Sequence, residues 1–304
     1  MDLTYQLEHN IKLAREFESQ GKFLHALQIY RAILNEHSDL PDVYMSVANV
    51  YENMSGTGPA VNLLQEFLEG EPDNKEVRMF LSQLLMRHAM WPEAVEALSL
   101  IANEEEPLSA FFLGYSYLMM DDLEKAKADF LKFLSFGDQS ELHHEANIYI
   151  AKIELKLKNY KNALSYAKRA DAIYSNFWEL NKIYAETYYN LGMYAHAVAP
   201  VEKAIRLNPS EPSPYEWAGK IYLKLEEYEK AEKQFLKYIE SIENVSSDTY
   251  TYLAEACLKS KKTADAFTYY DLAVKLNPEN ESAVSGRHKA STILKNNVVS
   301  DGQN

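Results

Sequence analysis

Between Trp178 and Pro209 the apolar and small side chains fall at helical spacing on two successive stretches. Tyr184, Ala185 and Tyr188 share one face of the first. Leu191 to Met193 interrupt the pattern, and Tyr194, Ala197, Val201, Ala204 and Leu207 then mark one face of the second before Pro209 ends it. The spacing predicts a helix, a tight turn and a second helix in about 34 residues, the length of a helix-turn-helix repeat unit. A pair this short cannot bury two apolar faces by itself, so it requires similar pairs stacked on either side.

The same pattern, laid over the whole chain, gives units starting near Leu7, Pro41, Lys75, Pro107, His144, Trp178, Pro212 and Ser247, with a half-unit from Glu281. The intervals between these starts are 34, 34, 32, 37, 34, 34, 35 and 34 residues. Two columns support the register. The first helix carries Ala14, Ala48, Ser82, Gly114, Ala151, Ala185, Gly219 and Ala254 at one equivalent site. The second carries Ala26, Ala60, Ala94, Ala126, Ala163, Ala197, Ala231 and Ala266. Small side chains permit a close crossing of two helices, and larger ones would push the pair apart. Bulky residues such as Phe17, Tyr51, Tyr188 and Tyr222 follow the first column, and Tyr30, Leu64, Phe130 and Phe235 follow the second. Leu207 to Pro209, Leu276 to Pro278, and Glu71 with Pro72 stop second helices.

These columns resemble those of the tetratricopeptide repeat (TPR) family over nearly the whole chain. The resemblance implies an all-α, right-handed superhelical solenoid of about eight helix-turn-helix units, spanning 7–280 as a single array, with the first helices lining a concave groove. Residues 281–296 are expected to form a capping helix, because a terminal repeat needs a polar outer side, and 297–304 a disordered tail. Two features depart from the pattern. Glu154 and Cys257 stand where the column expects an aromatic, and the spacings of 32 and 37 around Pro107 imply altered turns.

Composition agrees with helix: 47% of residues are hydrophobic, and Gly and Pro number only 10 each. One cysteine, Cys257, excludes an internal disulfide framework and a paired-cysteine zinc motif. The first residues are charged and amphipathic rather than signal-like, and the longest apolar run, Ala110 to Met120, is interrupted by Gly114 and Ser116. The expectation is a cytoplasmic chain with no direct membrane insertion. Net charge is -14, and residues 1–152 hold 11 Lys and Arg against 25 Asp and Glu, whereas 153–304 hold 20 of each. Such a field favours basic partners. It argues against the alternative of a helical-repeat nucleic-acid-binding protein of the pentatricopeptide kind, which needs a basic groove to meet phosphates.

No catalytic, cofactor-binding or metal-binding constellation emerges. His143 and His144 are adjacent, so on a helix they point about 100° apart and cannot grip one metal together; a surface position is expected for both. Ser55 to Pro59 lacks the Lys of a phosphate loop, which makes Gly56 and Gly58 turn residues. Acidic residues, Asp42 and Glu76 among them, open most first helices, where a carboxylate suits the helix dipole. In the fourth unit Leu113, Gly114 and Tyr117 account for packing, yet Phe111, Tyr115 and Met119 make the opposite face apolar too. Met45 and Met79 occupy sites equivalent to Phe111. Two readings stand: the superhelix covers these side chains itself, or they form a pocket for an apolar anchor. The basic clamp of TPR co-chaperones is absent, since Lys182 is followed one turn later by Glu186 and the earlier equivalents are Ile11 with Arg15 and Met45 with Asn49. The function expected is that of a non-enzymatic scaffold or adaptor for complex assembly. Its groove would bind a basic segment of a partner protein with apolar anchors through Met45, Met79, Phe111, Tyr115, Met119 and Glu76. The sequence leaves the oligomeric state open.

Overall fold

The structure, a computed structural model, describes residues 3–101, 106–137 and 141–301, with side chains between 5 and 296. Seventeen α-helices and no strand occur among the described residues. They form two compact units, Met1–Asp138 and Gln139–Asn304. Unit 1 contains α1 (Leu3–Ser19), α2 (Phe23–Glu36), α3 (Pro41–Ser55), α4 (Thr57–Gly70), α5 (Lys75–Arg87), α6 (Trp91–Ser99), α7 (Pro107–Met119) and α8 (Leu123–Ser135). Unit 2 contains α9 (Glu141–Lys156), α10 (Tyr160–Ile173), α11 (Trp178–Asn190), α12 (Tyr194–Leu207), α13 (Ser213–Lys224), α14 (Tyr228–Glu240), α15 (Ser247–Lys259), α16 (Thr263–Leu276) and α17 (Glu281–Asp301). Odd and even helices pack as hairpins, and in each unit successive hairpins stack. Each unit is an α-solenoid of four helix pairs, and unit 2 ends in a single further helix. The boundary at residue 138 falls in the stretch of unequal spacings.

Both small-residue columns lie at helix crossings. Every Ala and the Ser of the two columns is 0% exposed. A Cβ on Gly219 would stand 2.7 Å from the Phe235 ring, and one on Gly114 would stand 3.0 Å from Phe130. At these crossings the bulky residue of the second helix already fills the space beside the first.

Turn geometry repeats as well. In seven of the eight pairs one residue past the first helix takes a left-handed φ, from 55° at Ala89 to 74° at Gly192. The next residue's N–H then reaches back five positions to a helix carbonyl, as from Lys22 to Phe17 and from Met193 to Tyr188, both at 2.8 Å. The remaining pair turns at Gly56, whose φ of 87° and ψ of -176° only glycine adopts readily. Gly58, expected in that turn, lies instead in the first turn of α4.

The shorter spacing appears in a helix rather than in a turn. α6 has 9 residues, where its neighbours α4 and α8 have 14 and 13. His143 and His144 are also corrected: both are buried, at 7% and 6% exposure, not at the surface. The segment after α10 covers the start of α9, so His144 meets the edges of Tyr174 and Phe177, and its Nδ1 donates to the Ala170 carbonyl at 2.9 Å. Neighbours on two sides of one helix can bury both of two adjacent residues. Glu154, in the aromatic column, is 1% exposed.

At the other end, α17 packs on α16 and α15. Ala283 and Ala290 are 0% exposed, Gly286 lies against the Tyr270 ring, and Arg287 pairs with Asp271 at 3.1 Å. The helix runs to Asp301, past the point where a disordered tail was expected to begin, and no proline or further glycine stands between Gly286 and Gly302. Residues 302–304 of that tail lie outside the described residues. No described helix is long and apolar enough to cross a membrane.

Candidate functional site

A 34-residue interval returns equivalent residues to the same face of successive first helices, so α3 and α5 present matched rows in unit 1. Asp42 and Glu76 correspond, then Met45 and Met79, Ser46 and Phe80, and Asn49 and Gln83. All eight line one open groove of about 620 Å³, whose lining also includes Arg15 of α1 and Ile101, Glu106 and Leu108 near the start of α7. The volume is that of an ordinary ligand or side-chain pocket.

The matched rows make the groove banded. Carboxylates stand at the beginning of α3 and α5, thioethers one turn further along, and amides one turn beyond those. A helical turn rises about 5.4 Å, which sets the distance between bands. Neither Asp42 nor Glu76 has an ion-pair partner among the described residues. Among the described residues the Glu106 carboxylate accepts only a long bond, 3.4 Å, from the Leu108 N–H. Arg15 and Lys75 are the cations of the lining, against three carboxylates. The wider field has the same sign: residues 1–138 hold 10 Lys and Arg against 23 Asp and Glu, whereas 139–304 hold 21 against 22.

Three of the six residues singled out in the sequence, Met45, Met79 and Glu76, come together in this groove. The other three do not line it. Phe111 is 5% exposed, with its ring edge-on to Phe130 at 5.7 Å and Phe133 at 5.2 Å, so the side chain is core between α7 and α8 and no groove anchor. Tyr115 packs edge-on to Trp91 at 5.9 Å. Met119, at the last turn of α7, is 43% exposed. Phe80, Leu108 and Ile101 were not singled out, although Phe80 shares the 34-residue register with Ser46 and could have been read from it.

Chemistry elsewhere is sparse. Among the described residues no group of three His, Cys, Asp or Glu side chains could hold a metal ion. Cys257 is fully buried, and burial pushes its thiol up to about 12, far from the reactive thiolate form.

The family model for the tetratricopeptide repeat matches residues 183–211 and 212–244. No curated protein matches the chain. Among solved structures, a tetratricopeptide repeat protein from Parabacteroides merdae is 20% identical, with a TM-score of 0.55 over 82% of this chain and 98% of that one. YrrB, a TPR protein, is 16% identical, with a TM-score of 0.52 over 65% of this chain and 97% of its own. A chain of the Cut9–Hcn1 hetero-tetramer of the APC/C is 15% identical, with a TM-score of 0.59 over 92% of this chain. The present chain spans 55% of that chain's length, about half. At such identities these likenesses speak to fold. The family model thus covers two consecutive helix pairs of unit 2, and the helix-pair fold is similar to that of a solved TPR protein over 82% of the chain.

Proposed function

We propose that the repeat units between 7 and 280, with 281–296 as their cap, serve as a non-enzymatic, cytoplasmic scaffold that supports assembly of a multiprotein complex. The groove of α1, α3, α5 and α7 would take an extended segment of a partner protein. The observation that carries this reading is the banding of the groove: unpaired Asp42 and Glu76 beside Met45, Met79 and Phe80. A segment lying along the helices would place a Lys or Arg at the carboxylate band and an apolar side chain about one turn, roughly 5.4 Å, further on. The methionines can adapt their shape to that anchor, and the acidic field would speed encounter. The fold tolerates this use, since YrrB carries an unusual peptide-binding site.

Selection of random 12-residue peptides on the full chain, followed by hydrogen exchange with the best binder, tests the proposal. Enriched peptides should carry basic residues next to an apolar anchor and should protect amides in α3 and α5. Enrichment of acidic peptides, or protection confined to unit 2, would refute it.

A further inference from the structure

Unit 1 has a second groove, on the side formed by its second helices. α4 and α6 are its walls and α5 its floor, with Leu68, Leu81 and Leu85 at the bottom and a volume of about 340 Å³. Leu100 stands at the lip with 63% of its surface exposed, because α6 stops at Ser99 and leaves the next residue uncovered. The neighbouring Ile101 turns inward to the first groove, so the short α6 shapes both.

The charge around this apolar floor is one-sided. Glu69, Glu93 and Glu96 line the walls, and none of them has a hydrogen-bond or ion-pair partner among the described residues. Arg78 is the cation of the lining, and its guanidinium is already engaged with the Pro72 carbonyl. Three carboxylates against one cation leave this lining net negative beside its leucines, so a cationic, apolar side of another molecule would complement it. The lining comes from three successive helices, α4, α5 and α6, so the apolar and cationic face of an amphipathic helix could meet all three. We propose that the α4–α6 groove docks a short amphipathic helix of a partner protein, with leucine-type side chains toward Leu81 and Leu100 and lysines or arginines toward Glu69, Glu93 and Glu96. This surface is separate from the first-helix groove and does not depend on it.

The probe is a synthetic 15-residue helical peptide with leucines on one face and lysines flanking them, labelled for fluorescence anisotropy and titrated with the full chain. Leu100→Asp should weaken binding about tenfold, since it replaces the most exposed apolar side chain of the groove, which the peptide would cover, with a charge. Glu96→Lys should weaken it more than Glu124→Lys, which changes net charge equally on the exposed face of α8. Circular dichroism of each variant should match the parent, because Leu100 and Glu96 are both exposed. A peptide selected for the first-helix groove should not displace the probe. Equal losses for Glu96→Lys and Glu124→Lys, or unchanged affinity for a folded Leu100→Asp, would overturn the proposal by reducing the binding to general attraction. Displacement of the probe by the first-groove peptide would overturn it too.

Discussion

Ala89, Asp121, Lys158, Glu226 and Lys261 all hold left-handed φ values between 55° and 63° without being glycine. A side chain there costs roughly 1 to 2 kcal/mol, and glycine would return part of that in unfolded-chain entropy. Lys158→Gly should therefore stabilise unit 2 by up to about 1 kcal/mol, measured by urea denaturation. A close approach reverses the sign for another change. Gly219→Ala gains helix propensity but drives a methyl group into the Phe235 ring, so it should destabilise by about 1 to 3 kcal/mol in the same assay. Legibility at this scale divides by physical cause. The small-residue columns were readable because each depends on volume alone, and all of those positions are buried. The turns at Lys158 or Glu226 were not, because their conformation is imposed by the two helices and leaves no glycine in the sequence. Phe111 shows the same limit: its spacing placed it on a face, but the rings of Phe130 and Phe133 decide which neighbour it joins.

Helices are tied to one another by more than apolar contact. At the ends of α3 and α5, Glu52 pairs with Arg87 at 2.8 Å and with His88 at 2.7 Å. Burial alone would raise the Glu52 carboxyl, but the hydrogen bonds from Arg87 and His88 outweigh it and hold the group below its ordinary 4.5. A depressed carboxylate stabilises the fold above its unfolded pKa, and the contribution disappears as pH falls through the folded value. Glu52→Gln should thus reduce stability at pH 7 by about 0.5 to 1 kcal/mol, and the difference from the parent should shrink in thermal melts as pH falls below the ordinary carboxylate range. At the far end, α17 seals the last hairpin with Ala283, Gly286 and Ala290. Truncation after Asn280 should expose that face and lower the melting temperature, with aggregation visible by light scattering. The elements themselves were legible because starts such as Pro41, Lys75, Pro107 and Trp178 combine a register with a helix-opening residue. α6 was not, since a 32-residue spacing says only that residues are missing, and the structure places the loss in the helix.

Across the molecule, the acid that the sequence assigns to the first half coincides with one compact unit, and both candidate docking grooves lie in that unit. Half of the candidate site was readable, Met45, Met79 and Glu76, because a constant 34-residue interval keeps equivalent side chains on one face. The rest depended on where α7 begins and which way its rings turn, and pairwise spacing does not carry that. A groove that attracts through charge and holds through apolar contact should separate the two contributions. The most direct measurement is the affinity and association rate of the selected peptide for the parent, Met79→Ala and Glu76→Lys, each at low and high salt. Met79→Ala should weaken binding by about 1.4 kcal/mol, a factor of ten, through faster dissociation and with unchanged salt dependence. Glu76→Lys should mainly slow association and flatten the salt dependence. Equal affinities for all three proteins, each shown to be folded, would contradict the account.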